Sequence, residues 1–373
     1  MSKQILITGG AGFVGSHLAD GLLSAGHSVR VLDDLTQQVH PAGPPDYLSP
    51  AVELIRGDVR DPNLLKEVLR GIDVIYHFAA TVGVGQSMYE ISRYMSVNTH
   101  GTAELLQAVL DTKSPIQKII VASSMSIYGE GRYRCSKCGR AAAPPVRSIA
   151  QLKRSEWNLQ CTECKGVLKP LPTAEDKPSE INSMYALSKR DQEELCLIYG
   201  RTYGLAVTAL RFFNIYGTRQ ALSNPYTGVA AVFGSRMLNG NAPLLFEDGE
   251  QMRDFVSIHD IVRANMLAME RTESDGEVIN VGCGKPITIR RVAELLAESL
   301  GRNVQPVITN KFRAGDIRHC YADISKARKL LGYEPQVTHE EGFRELAAWL
   351  RGQKAEDKAD TMLKELSAYG LTA

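Results

Sequence analysis

The 373 residues allow about two domains at roughly 150 residues each. Apolar residues make up 44% and charged residues 23%, which excludes a mainly disordered chain and a collagen-like one. Lys and Arg number 43 against 42 Asp and Glu, a net charge of +1, so no global field favours nucleic acid or a membrane surface. No apolar run approaches the roughly 20 residues that a spanning helix needs.

The chain goes straight into a strand pattern at 4–8, with no signal-peptide layout, which predicts a cytoplasmic protein. Helical spacing follows over 13–25, then strands over 28–32 and 52–56. Asp61-Pro62 opens a helix, because Asp is a good N-cap and Pro suits the first helical position. A strand over 73–78, a long helix over 91–111 and a strand over 118–123 continue the alternation. This rhythm predicts a doubly wound α/β fold: a parallel sheet covered on both faces, with ligands at the carboxyl ends of its strands.

The rhythm breaks between 131 and 172. That stretch holds nine Lys/Arg and two Glu, a local excess of +7, and four of the seven cysteines, as Cys135-x2-Cys138 and Cys161-x2-Cys164. It reads as an insertion in one loop. In a reducing compartment two such pairs suggest metal rather than disulfides, and four thiolates suit tetrahedral Zn²⁺ in a closed structural site, as in a zinc ribbon. An iron centre or a redox pair is the alternative. The isolated Cys196, Cys283 and Cys320 read as small buried hydrophobes. The pattern then resumes with a helix over 183–203 and a strand over 206–212. Further helices are predicted near 228–239, 259–271, 288–300, 323–331 and 339–351. The polar tail 352–373 reads as helical, with no purpose assigned.

Gly9, Gly10, Gly12 and Gly15 follow the first strand and open the first helix, and they fit a dinucleotide-binding turn. Lacking Cβ atoms, they let backbone N–H groups approach a pyrophosphate at the helix N-terminus. Asp33 ends the second strand, where a carboxylate bonds a ribose 2′-hydroxyl and repels a 2′-phosphate, so NAD is expected rather than NADP. Asp58 and Val59, after the third strand, are placed to hold the adenine. Tyr185 and Lys189 stand at i and i+4 on one helix face, where an ammonium would lower the phenol's pKa. Ser124 leaves the fifth strand at its carboxyl end, where a hydroxyl can bind a reacting oxygen.

Taken together, these segments resemble the extended short-chain dehydrogenase/reductases of the nucleotide-sugar epimerase/dehydratase family. The resemblance rests on TGGAGFVG (8–15), GDVRD (57–61), HFAA (77–80), SSMSIYG (123–129), YALSK (185–189), RFFNIYG (211–217), RDFVSIHD (253–260) and RAGDIRHCYADISKARKLLGYEP (313–335), in family order. It implies an NAD-binding Rossmann domain over 1–212, interrupted by 131–172. A smaller, mixed α/β nucleotide-sugar domain would occupy 213–373, with some segments returning to the first. It also implies cofactor contacts from Gly9, Gly12, Phe13, Val14, Gly15, Ala79, Ala80, Asn98, Tyr185 and Lys189.

Tyr185 would be the acid/base, Lys189 its tuner and ribose anchor, and Ser124 the partner of the sugar oxygen. Asn214 would bind substrate, Arg253 and Arg313 would clamp the nucleotide diphosphate, and Asp316 would lie beside the nucleotide ribose. Ser87 and Val229 would border the sugar and base pockets. The bland alternative for Arg253 is a salt bridge with Asp254, and His259 reads as structural. A homodimer built on the 91–111 and Tyr185 helices is a family expectation.

The chain departs from the dehydratases and uronic acid decarboxylases of the family. They carry a carboxylate where this chain has Met125 or Ser126, and elimination needs a positioned acid and base. Simple C4 epimerisation is therefore expected, through a transient 4-keto sugar. Family members with this type of cysteine insertion look most like dTDP-L-rhamnose 4-epimerases. UDP-hexose or UDP-hexuronate 4-epimerisation and 4-keto sugar reduction are the enzymatic alternatives, and a dinucleotide-sensing binding protein is the competing class. The insertion separates Ser124 from Tyr185 and should emerge near the substrate mouth, as a lid, a subunit contact, a basic face for an anionic partner, or a solvated knuckle without ligand contact.

Overall fold

The structure is a computed structural model and describes residues 2–372. Seven strands form one parallel sheet, in the order Val278–Val281, Ala206–Phe212, Lys118–Ser124, Val74–His77, Gln4–Thr8, Ser28–Asp33, Glu53–Arg56. The near-continuous apolar runs of the central strands follow from burial on both faces: Ile5, Leu6 and Ile7 are all fully buried. Ile5 and Ile7 pack on one side, with Leu18, Leu22 and Ile261, and Leu6 on the other, with Leu65, Leu105 and Ile119. Strand order reverses between Gln4–Thr8 and Val74–His77, so a crevice opens at their carboxyl ends.

One element differs from expectation. The long helix is interrupted: Ile91–Tyr94 and Gly101–Thr112 are α-helical, but Met95–His100 between them is a π-helix. A π-turn is a rare single-turn feature inside an α-helix, so a reading of helical spacing takes the segment as one continuous α-helix. The tail forms the expected helix, Ala359–Ala368, and it packs on the molecule through Ala359, Met362 and Leu366.

After Phe212 the chain builds a second unit. Met252–Ser257 pairs with Asn214–Tyr216, Pro286–Thr288 and His319–Cys320. Helices Val229–Leu238, Ile289–Leu300 and His339–Leu350 close a core around Phe255, Leu296 and Phe343. Helix Ile258–Glu270 returns to pack against Phe13–Ser24.

The inserted stretch is a three-stranded antiparallel sheet in which Arg132–Cys135 pairs with Ala141–Ala142 and Leu168–Leu171. Its small core is Tyr133, Leu159 and Leu168 with Cys135 and Cys161.

Candidate active site

One cleft of ≈ 1120 Å³ runs from the glycine turn to the second unit, larger than a pocket for one drug-sized molecule. Gly9, Gly12, Phe13, Val14 and Gly15 line its cofactor end. Gly12 caps helix Phe13–Ser24 without any side-chain bond, and the first turn carries no acid. The orphan N–H groups of that turn are therefore available to an anion. Gly9 has φ +70° and passes so close to Ala79 that a Cβ would lie 2.8 Å from its nitrogen. Asp33 fixes the turn by accepting the N–H of Ala11 at 3.0 Å and of Leu35 at 2.9 Å, and burial raises its pKa. Asp58 and Val59 also line the cleft. The Asp58 carboxylate is engaged by Arg60, whose Nε donates at 2.9 Å, and these bonds hold its pKa down.

Ala79 and Ala80 face the cleft, but Asn98 and Ser87 do not reach its wall. Asn98 lies buried in the π-helical turn. Its Oδ1 accepts the Thr81 N–H at 2.7 Å, and its Nδ2 donates to Ser188 Oγ at 2.9 Å. It positions the wall from behind. Ser87 is fully buried and gives its hydroxyl to the Val84 carbonyl at 2.6 Å. Both corrections have one cause: motif position does not tell which way a side chain points once its turn is packed.

Ser124 ends strand Lys118–Ser124 and accepts the Ser126 N–H at 3.1 Å. Tyr185 and Lys189 enter on helix Met184–Tyr203, capped by Ser183, which accepts the Ala186 N–H. The tuning differs from the spacing argument. Burial raises the Tyr185 phenol, and a hydrogen bond with Ser124 opposes that. Lys189 Nζ donates instead to Gln192 Oε1 at 2.7 Å, and burial pushes its ammonium down to about 7. Gln192 continues to His77 Nε2 at 3.1 Å and to the Ala79 carbonyl at 3.2 Å. Behind them a buried pair, Glu193 with Arg211 at 2.6 Å, also accepts the Ser123 hydroxyl at 2.6 Å, locking strand to helix.

Asn214, Val229, Arg253, Arg313 and Asp316 line the far end. The Asp316 carboxylate lies between Arg313 Nη2 at 2.6 Å and Arg253 Nη2 at 3.3 Å. Burial would raise its pKa, but Arg313 and Arg253 outweigh this and hold it at about 2. Arg253 makes no pair with its neighbour, because Asp254 accepts the N–H groups of Cys283, Gly284 and Ala322 instead. His259 pairs with Glu345 at 2.8 Å, a structural contact. Four residues lining the cleft, Ser126, Asn214, Gln220 and Gln251, each carry a buried side-chain oxygen with no partner among the described residues. Left unpaired, such atoms are costly, so a polar ligand at this end fits them.

The sequence offers no clear sign of Arg147. This arginine of the insertion is buried and pairs with Glu247 at 2.8 Å. Arg318 joins Glu247 at 3.1 Å and Asp248 at 2.6 Å. Only the two adjacent prolines, Pro144-Pro145, hint that the basic stretch folds back here. In the knuckle, the sulfurs of Cys135, Cys138, Cys161 and Cys164 all lie within 4.8 Å of one another. Tetrahedral Zn–S bonds of about 2.3 Å put sulfurs about 3.8 Å apart, so this donor set fits the ion.

The chain matches the NAD dependent epimerase/dehydratase family over residues 5–155 and 157–282, and belongs to it. It is 32% identical to a dTDP-L-rhamnose 4-epimerase of Burkholderia thailandensis over 352 residues, 93% of this chain and 95% of that one. The UDP-glucose 4-epimerase of Thermotoga maritima, solved with UDP-glucose, superposes with a TM-score of 0.75 at 32% identity, over 93% of this chain and 98% of that one. The UDP-glucuronic acid 4-epimerase of Bacillus cereus, solved with UDP-glucuronic acid and NAD, gives 0.76 at 27% identity, over 93% and 99%.

Proposed function

We propose that the chain is an NAD-dependent nucleotide-sugar 4-epimerase and that dTDP-L-rhamnose is its substrate. The observation that carries the reaction type is the distribution of acids. Asp33, Asp34, Asp58 and Asp316 are the carboxylates lining the cleft among the described residues. The first three follow the strands of the cofactor end, and Asp316 is held by the arginine clamp. None stands beside Ser124, where Met125 and Ser126 occupy the following turn. Elimination or decarboxylation would need such a group. The Burkholderia relative supports the choice of sugar.

Residues 1–212, without 131–172, would hold the cofactor, with Gly9, Gly12 and the first helical turn at its pyrophosphate and Asp33 at its adenosine ribose. Bound there, NAD supplies a reversible hydride acceptor. Tyr185 takes the proton of the C4 hydroxyl and later returns it, while Ser124 holds that oxygen. Lys189 anchors the nicotinamide ribose. Arg253 and Arg313 grip the diphosphate, so binding energy at the nucleotide end leaves the sugar free to turn.

Zn²⁺ in the four-cysteine knuckle would be structural, since four thiolates leave no open position. A cytoplasmic homodimer belongs to the same reading. Apolar Ile91, Leu187, Ile198 and Tyr203, exposed along the two helices expected to pair, support it. A membrane or nucleic-acid partner has no part in it, and no helix among the described residues is long and apolar enough to cross a bilayer.

The test is proton NMR of the NAD-loaded chain in D₂O with dTDP-L-rhamnose, UDP-glucose and UDP-glucuronate in turn. C4 epimers without deuterium incorporation, from the first sugar alone, are expected. Epimers from a UDP-sugar would reassign the substrate. Deuterium at C3 or C5, or loss of water or CO₂, would overturn the epimerase reading. Tyr185→Phe should lower kcat by about 10²–10⁴-fold, the usual worth of a positioned acid/base, while bound NAD is retained. A dinucleotide sensor would be indifferent to that change.

A further inference from the structure

The C-terminal segment lies across the cleft. On helix Ala359–Ala368 the residues Ala359, Met362, Leu363 and Leu366 follow helical spacing and line it, while Asp360, Thr361, Lys364 and Ser367 stay exposed. Leu366 packs so closely on Gly85 that a Cβ there would lie 3.1 Å from its Cδ2.

The segment is tied down at three places. Its start is anchored to helix Val229–Leu238 and the residue that follows: Arg236 pairs with Asp357 at 3.2 Å, and Asn239 Nδ2 donates to the Ala355 carbonyl at 2.8 Å. Its middle is latched to two segments, one just after Gly85 that carries Tyr89 and one just before Val229 that carries Tyr226. Glu365 accepts the hydroxyls of Tyr226 and Tyr89, and Tyr369 stacks on Tyr89 with ring centroids 4.5 Å apart. Its end returns to the arginine clamp, where the Ala314 N–H donates to the Leu371 carbonyl at 2.9 Å and Thr372 bridges Arg313. These ties bring the segment from the Val229 side of the cleft, over Gly85, to Arg313. It thereby lines the same cleft as Tyr185 and Arg313, between which the hexose would lie.

We infer that segment 359–372 is a retaining wall that keeps the 4-keto sugar in the cleft while it turns between two hydride transfers. This rests on the 4-epimerase reading. In the first transfer the C4–H bond gives its hydride to the cofactor and the C4 hydroxyl gives its proton to Tyr185. The product is a 4-keto sugar nucleotide whose uncharged hexose ring has no covalent tie to the protein. Hydrogen bonds strong enough to hold its ring would also stop it turning. Apolar contact is non-directional, so a wall of Met362, Leu363 and Leu366 confines the ring without fixing its orientation. A sugar that escapes takes away the only hydride acceptor and leaves the cofactor reduced.

The experiment compares the NAD-loaded full chain with Glu365→Ala, with Tyr369→Ala and with a chain ending at Lys358, each turning over the sugar nucleotide that the full chain epimerises. Reduced nicotinamide is read by its near-ultraviolet absorbance, and free keto sugar by borohydride capture. Removing the charged acceptor of two hydrogen bonds shifts a closing equilibrium by about tenfold. Reduced cofactor and free keto sugar should therefore build up about tenfold faster per turnover in the variants, with initial turnover little changed. If the shortened chain fails to fold, the two point variants decide. Variants that turn over with no more reduced cofactor than the full chain overturn the inference and leave the epimerase reading standing. A full chain that epimerises none of the sugars overturns both.

Discussion

Arg147 donates from Nη2 to the backbone carbonyl of Asp316 at 3.1 Å, across 169 positions of sequence. Asp316 in turn holds Arg253 and Arg313. The inserted stretch is thereby joined to the Arg253–Asp316–Arg313 cluster through one buried guanidinium.

Arg147 is therefore expected to act as a positioning residue. Arg147→Lys keeps the charge but loses the fork that serves Glu247 and Asp316 together. KM for the nucleotide sugar should rise about tenfold, as for the loss of a charge-assisted hydrogen bond, with kcat changed far less. Steady-state kinetics separate the two, and an equal fall in kcat would place Arg147 in the chemistry instead.

The knuckle supplies the second prediction. Elemental analysis of the purified chain should find about one zinc, as a structural site of four cysteines requires. Cys135→Ser should lose it and raise KM in the same direction as Arg147→Lys, with NAD still bound. Unchanged metal content in the variant would sink the metal assignment.

The clamp should leave a mark on acid stability. The Asp316 carboxyl is held at about 2, against 3.8 for the free group. A depressed carboxyl contributes stability that is present above its unfolded pKa and lost as pH falls through its folded one. The window is therefore pH 4 down to 2, and the contribution is about 2 kcal/mol. Asp316→Asn should unfold with a shallower pH dependence across that window, read by denaturant titration at several pH values. Parallel curves for the two proteins would refute it.

The glycine turn offers a steric test. A Cβ on Gly15 would lie 2.5 Å from Gly10 Cα, a backbone atom that cannot swing aside. Gly15→Ala should cost about 1–3 kcal/mol, the usual penalty of overpacking. It should also empty the protein of nicotinamide, because the turn that presents the first helical N–H groups must shift. Thermal unfolding and assay of the released cofactor check both.

Much of the cofactor end was legible in the chain. Glycines at Gly9, Gly12 and Gly15, a carboxylate at Asp33 and Tyr185 four residues before Lys189 are local patterns. The strand-turn-helix or the single helix that carries them is itself a local structure. The arginines were legible only through family likeness, and their true partner, Asp316 rather than Asp254, was not. Choosing between two carboxylates requires knowing which backbone N–H groups already occupy one of them.

Periodicity, glycine placement and cysteine spacing by themselves determined the alternating α/β order, the dinucleotide turn and the position of the insertion. Each depends on residues within about one turn or strand of one another. Only the tertiary structure decided that Asn98 and Ser87 face inward, that Lys189 binds Gln192, that Arg147 leaves the knuckle for the clamp and that the tail roofs the cleft. Those contacts join residues from 3 to 281 positions apart, Lys189 with Gln192 and Gly85 with Leu366. They are selected by which buried polar groups must find a partner and which apolar faces remain to be covered once the sheet has formed.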